Sequence, residues 1–306
     1  MERRNSRFSA SASARIASSK ILVKTMRIYL SVDLEGVNGV LHSSQTQPGE
    51  PGYERAVGLM HRETNAIIEG LRKGGASHVL VNDSHFDMRN LRIEQLAPKA
   101  SLINGWQKPY SMVSGAQYLD DEKVDAACFV GYHARAGSQR GVLSHTYRAT
   151  VFLDVKLNGQ SVGETGLNAA LCGYFGIPVM LLTGDDVVCE EARELLGPIT
   201  CIQTKKAVSR YSAECPPFEE TLAALQSGAE KAIKDKRSWQ LFKPPSPSTM
   251  RITMIDPAMA DAAELLPQVR RVDGRQIEFS DSDYAVLFKL MLAVGVLGAS
   301  RKDPHF

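Results

Sequence analysis

From Met26 onward, short apolar runs alternate with longer amphipathic segments. Arg27 to Val32 predicts a strand. Tyr53 to Lys73 predicts a helix, because Val57, Met60, Ile67, Ile68 and Leu71 recur at helical spacing and Gly74-Gly75 stops it. His78 to Val81 and Ala126 to Val130 predict strands. His145 to Leu157, rich in Thr, Tyr and Val, predicts a β segment with Asn158-Gly159 as its hairpin turn. Gly166 to Phe175 predicts a helix, and Pro178 to Thr183 another buried strand. Past about residue 200 the character changes. Phe218 to Lys236 predicts a helix, residues 243–248 a Pro-rich linker, Met250 to Ile255 and Gln276 to Phe279 strands, and Ser282 to Leu297 a closing helix. The expected fold is α/β: a mostly parallel sheet with helices on both faces over residues 26–205, plus a smaller C-terminal α+β domain over 206–306.

Composition narrows the class. The 306 residues are 43% hydrophobic and 23% charged, which is ordinary for a globular protein. No apolar run approaches the roughly 20 residues that span a bilayer. Residues 1–25 carry six Lys or Arg and one Glu, so the formal charge of +2 becomes about −3 for the rest. A nucleic-acid surface needs clustered positive charge, and the body lacks it. The Ser-, Ala- and Arg-rich residues 1–25 read as a disordered tail or a mis-assigned start, with an organelle transit peptide as the alternative. Five scattered cysteines without a CxxC pair indicate reduced thiols and a cytoplasmic protein.

Parallel sheets place ligand sites at the carboxyl ends of their strands. Asp33 and Glu35 follow the first apolar run, two residues apart and so on one face of an extended chain. Asn82, Asp83, Ser84 and His85 follow the second. Gly131, Tyr132 and His133 follow the next, and Glu164 opens the helix after the hairpin. Each of these has an ordinary structural explanation when taken alone. Asp185-Asp186 reads as a strand-end turn and helix cap, outside any site. Together, two His and three carboxylates exceed what one four-coordinate zinc with an open position needs. They suit two metals with a bridging carboxylate, an arrangement that activates water and polarises a carbonyl. A metal ion held against them lets Asp33 and Glu35 tolerate each other.

SVDLEG (31–36), LVNDSH (80–85), GYHARAG (131–137), LSH (143–145) and VGETGLN (162–168) stand in the order and spacing of the zinc-dependent D-aminopeptidase family, named for the bacterial enzyme of the dipeptide-permease operon. KPYSMVSG (108–115) and LLTGDD (181–186) also resemble it. The similarity is dense to about residue 210 and looser beyond. The resemblance implies a two-zinc site held by Asp33, Glu35, His85, His133 and Glu164, with Asp33 as the bridge. It implies His145 as the catalytic nucleophile. The chemistry of imidazole equally suits general acid/base work. It further implies short peptide substrates cleaved from the N-terminus, D-residues such as D-Ala-D-Ala preferred, and a homo-oligomer in the form of a decameric ring. Another metal-dependent amide or ester hydrolase is the nearest alternative. A non-catalytic peptide-binding component of dipeptide uptake is the more distant one.

Overall fold

A computed structural model describes residues 25–118 and 122–300. The basic N-terminal stretch up to residue 24 lies outside the described residues. The strands are β1 Arg27–Val32, β2 His78–Asp83, β3 Ala100–Ile103, β4 Ala126–Tyr132, β5 Phe152–Leu157, β6 Gln160–Ser161, β7 Val179–Asp185, β8 Thr200–Ser209, β9 Ser212–Glu214, β10 Ser248–Met254, β11 Arg270–Arg271 and β12 Gln276–Asp281. The helices are α1 Tyr53–Lys73, α2 Glu164–Tyr174, α3 Asp186–Leu196, α4 Phe218–Lys234, α5 Pro257–Ala263 and α6 Tyr284–Ala299.

Seven strands form one sheet in the order β3-β2-β1-β4-β7-β8-β9, parallel except for β9. Side chains alternate across its two faces. Ile28, Leu30, Val32, Val79, Val81, Cys128 and Val130 point into a core built with α1 and α4. Tyr29, Leu80, Ala127 and Phe129 point into a second core shared with α2, α6 and the smaller sheet. Both faces are covered, which is why these strands are apolar almost throughout. The chain runs from β1 outward to β3, then returns and continues on the other side through β4, β7 and β8. The crevice between β1 and β4 is therefore a topological switch point, the usual place for a ligand in an open α/β sheet.

The second sheet is antiparallel, β11-β12-β10-β5-β6. Its strands come from residues 152–161 as well as from 248–281, so the chain enters this layer before residue 205 and returns to it after α4. The expected β segment over His145–Leu157 begins only at Phe152. Tyr147 takes a left-handed φ of +56°, and the Arg148 N–H closes back on the Thr146 carbonyl at 2.6 Å. That turn converts residues 145–151 into a loop.

Candidate metal centre

Close backbone contact assembles the site. The Asp33 N–H donates to the Val130 carbonyl, and the Gly36 N–H to the Gly131 carbonyl, each at 2.8 Å. Gly131 has φ +69°, and a Cβ there would lie 2.3 Å from the Asp33 carbonyl oxygen. A Cβ on Gly36 would lie 2.0 Å from the Tyr132 carbonyl oxygen. Only glycine permits this approach, and it brings Asp33 and Glu35 beside His133. From β8, two strands beyond β4 in the sheet, Thr204 Oγ1 donates to the Gly36 carbonyl at 2.5 Å. Lys205 Nζ donates to the carbonyls of Glu35 (2.5 Å), Val37 (2.9 Å) and Val40 (2.6 Å). This buried ammonium pins the loop that carries Glu35.

His85 follows β2 in a turn organised by buried Asp83. The Asp83 carboxylate accepts the N–H groups of Asn90 (2.6 Å) and Leu91 (2.7 Å) and the Asn90 amide (2.8 Å). Asp83 is thus committed to structure. Glu164 is the first residue of α2, where the helix dipole favours a carboxylate. Its Oε1 accepts the Tyr147 N–H at 2.6 Å. Asp185 caps α3, accepting from Val188 at 2.9 Å.

The structure brings all six expected residues together. His85 Nδ1 lies 3.0 Å from both Asp33 Oδ1 and Glu35 Oε2. His133 Nε2 lies 3.5 Å from Asp33 Oδ2 and 3.4 Å from Glu164 Oε2. His145 Nε2 lies 3.7 Å from Glu164 Oε1. Asp33, Glu35, His85, His133 and Glu164 are buried. His145 is enclosed, with 19% of its side-chain surface open.

The donor set fits metal ions. Each histidine sets its outer nitrogen against a backbone carbonyl: His85 Nε2 on Thr46 (2.7 Å), His133 Nδ1 on Ala134 (3.0 Å) and His145 Nδ1 on Leu143 (2.8 Å). In the neutral ring this fixes the outer nitrogen as the N–H and turns a lone pair inward, the usual arrangement for a ligating imidazole. Those inward lone pairs face carboxylate oxygens, an arrangement that needs a cation between them. Among the described residues, His133 Nε2 and Glu35 Oε2 are buried without a hydrogen-bond partner; the 3.0 Å contact of Glu35 Oε2 with His85 is misaligned for a hydrogen bond. Ligands bonded to one tetrahedral zinc at about 2.0–2.2 Å stand about 3.3–3.6 Å apart, close to the spacings here. The ligand atoms of Asp33, Glu35 and His133, and those of His133, His145 and Glu164, form two groups that could each hold an ion.

Without metal, protons fill these gaps. Burial and the Glu35 charge push the Asp33 carboxyl up to about 8, against the pull of His85 and His133. Burial also works against Glu35, yet the charge of His85, 3.0 Å away, brings it well below the ordinary carboxylate range. Burial would lower His133, but Glu164, Asp33 and Glu35 outweigh it and raise the ring to about 10. His85 is raised well above its usual value by Glu35 and Asp33 despite burial. His145 moves the other way, lowered by burial and by His133. Ligating metal would displace the protons on His85 and His133.

A cavity of about 1170 Å³ opens over the cluster, walled by Phe86, Trp106, Lys108, Tyr147, Arg148 and Tyr211 among others. It exceeds what a dipeptide needs.

The Peptidase M55 family model, D-aminopeptidase, matches residues 26–293. The chain belongs to the D-aminopeptidase family. A D-aminopeptidase from Bacillus subtilis (strain 168) is 35% identical over 270 residues, covering 88% of this chain and 96% of that protein. The solved structure of DppA from Bacillus subtilis, described as a Zn-dependent D-aminopeptidase and a self-compartmentalizing protease, superposes with a TM-score of 0.86. It is 34% identical, and the match covers 91% of this chain and all of that one. Membership in the family makes this chain a metal-dependent aminopeptidase and agrees with the α/β fold and the resemblance read from the motifs. Among the described residues, no helix is long and apolar enough to cross a membrane.

Sequence reasoning missed Lys205, Thr204 and Arg148. A lysine in Gln203-Thr-Lys-Lys-Ala207 carries no signal of burial, because a strand residue's exposure is set by the loop packed on it. Arg148 lay inside a segment expected to be β.

Proposed function

We propose that this chain removes the N-terminal residue from short peptides, D-residues as in D-Ala-D-Ala preferred, using two zinc ions held by Asp33, Glu35, His85, His133 and Glu164. Asp33, whose Oδ1 faces His85 and whose Oδ2 faces His133, would be shared between the two ions, with Glu35 and His85 helping to hold one and His133 and Glu164 the other. The observation that carries this reading is the division of the Asp33 oxygens between the two histidines, 3.0 and 3.5 Å away. Bound zinc supplies a Lewis acid for the scissile carbonyl and lowers the pKa of an attacking water.

The protein's own groups move the protons. His145 donates from Nδ1 to the Leu143 carbonyl, which leaves Nε2 as the working nitrogen. Burial and the neighbouring His133 lower its proton affinity, which favours the neutral ring that a proton acceptor needs. It accepts the proton released by the attacking water and returns it to the leaving amine. We favour this acid/base role over direct attack by the imidazole, because bound zinc would already supply an activated water as the nucleophile.

The self-compartmentalizing relative supports a homo-oligomeric assembly, with a closed ring as the expected form. The five free cysteines suit the reducing cytoplasm.

The test is release of D-alanine from D-Ala-D-Ala and of L-alanine from L-Ala-L-Ala, before chelation, after it, and after zinc is restored. The reading expects D-Ala-D-Ala turnover that chelation abolishes and zinc recovers. Turnover that survives full metal removal, or a preference for the L-peptide, would contradict it.

A further inference from the structure

Four cationic side chains line the cavity: Lys108, Arg148, Arg210 and Lys289. Three are engaged. Lys108 Nζ donates to Asn82 Oδ1 (2.6 Å) and to the Asp83 carbonyl (2.5 Å). Arg210 donates to Ser144 Oγ (2.9 Å) and lies over the Tyr211 ring. Lys289 is exposed and sits 4.7 Å from the Tyr110 ring centre. Arg148 differs. Its guanidinium is half-buried and lies 5.6 Å from the centre of the Trp106 ring, and it has no hydrogen-bond acceptor or ion-pair partner among the described residues. A guanidinium offers five N–H donors in a planar fork, matched to a carboxylate. Partial burial without a partner costs free energy, and burial lowers the Arg148 pKa accordingly.

The placement is firm. The Arg148 N–H donates to the Thr146 carbonyl, and the Arg148 carbonyl accepts the N–H groups of Val151 and Phe152 at 2.9 Å each. The preceding residue, Tyr147, donates its N–H to Glu164 Oε1 (2.6 Å) and its hydroxyl to Asn168 Oδ1 (2.6 Å). Arg148 therefore stands one residue from the amide that orients a candidate metal ligand. In a dipeptide, the terminal carboxylate lies one residue beyond the scissile carbonyl, within about 3.6 Å of it.

We propose that Arg148 receives the C-terminal carboxylate of the substrate and selects short free-acid peptides over their amides and esters. The proposal rests on the aminopeptidase reading above. Trp106 holds the flat guanidinium ready, so little side-chain freedom is lost when the carboxylate arrives.

The experiment compares kcat/KM for D-Ala-D-Ala and for D-Ala-D-Ala amide, which share a scissile bond, in zinc-loaded wild type, Arg148→Gln and Arg148→Lys. The ratio of the two values does not depend on the fraction of correctly folded protein. The expected wild-type ratio favours the free acid by on the order of 10²-fold, carried mainly in KM. Arg148→Gln brings the ratio near one, and Arg148→Lys restores part of it. A ratio near one in wild type, or the same ratio in wild type and Arg148→Gln, overturns the assignment while leaving the peptidase intact. If wild type cleaves neither substrate, the aminopeptidase reading itself falls and the proposal falls with it.

Discussion

The rings of His133 and His145 stack with centroids 4.0 Å apart and planes 11° apart, and both turn Nε2 toward Glu164. Two imidazolium ions at that distance would repel each other. The site avoids this by giving the two rings different surroundings. His133 lies 3.5 Å from Asp33 and 3.4 Å from Glu164, whereas His145 lies 3.7 Å from Glu164 and feels Glu35 from farther away. One ring is suited to hold a cation and the other to stay neutral and accept a proton. His145→Gln is therefore expected to lower kcat by about 10²–10⁴-fold with little change in bound metal. Parallel assays of turnover and zinc content check this, and loss of metal with loss of activity would make His145 a ligand.

The two histidines on opposite sides of Asp33 should be separable. His85→Ala removes a nitrogen next to Asp33 Oδ1 and Glu35, and His133→Ala removes one next to Asp33 Oδ2 and Glu164. Each substitution is expected to release one zinc of two and leave the other bound. Elemental analysis of the purified variants reads this directly.

Lys205 supports the site from behind. It donates to three carbonyls of the loop over residues 35–40, and no water-exposed surface remains to replace it. Removing the ammonium relieves a buried charge but leaves three buried acceptors unsatisfied, and the second effect is the larger. Lys205→Met is expected to destabilise the fold by about 2–5 kcal/mol. It should also weaken zinc binding by about 10–100-fold, because Glu35 loses its backbone support. Urea denaturation and a competitive zinc titration measure the two effects separately.

Glu63 sets a pH dependence away from the metal centre. It is fully buried on α1, where Oε1 accepts the Asn38 N–H at 2.8 Å and Oε2 has no partner among the described residues. Burial raises its carboxyl from 4.5 to about 7, against the help of the Asn38 N–H and Lys205. Between these values the folded state holds a proton that the unfolded state has lost. Stability contributed by this group is therefore present below about 4.5 and falls as the pH rises to 7. Glu63→Gln keeps the acceptor and cannot ionise. Relative to wild type, it is expected to gain about 3 kcal/mol between pH 4.5 and pH 8 in urea denaturation. A constant difference across that range would show that Glu63 ionises normally.

Local and long-range features differed in how far the sequence revealed them. Arg27–Val32 and Tyr53–Lys73 coincide with β1 and α1 because burial on both faces leaves an apolar strand, and one-sided burial leaves a helical stripe. Asp33, His85 and His133 were legible because each directly follows such a run, at the one sheet edge where parallel strands end. The second sheet was less legible, since β5 pairs with β10 across about a hundred residues and nothing local marks that partner. The Thr146–Arg148 turn was hidden by β-prone residues whose conformation is decided by the hydrogen bond from Tyr147 to Glu164. Lys205 was hidden for a related reason: its three acceptors lie about 165 to 170 residues earlier in the chain.

The central claim is that Asp33 joins two metal positions, and zinc content per chain in wild type and Asp33→Ala tests it most directly. Elemental analysis of zinc-loaded, gel-filtered protein should give about two zinc per wild-type chain and almost none in Asp33→Ala, with unchanged circular dichroism. One zinc per wild-type chain, or full zinc content in Asp33→Ala, would contradict the account.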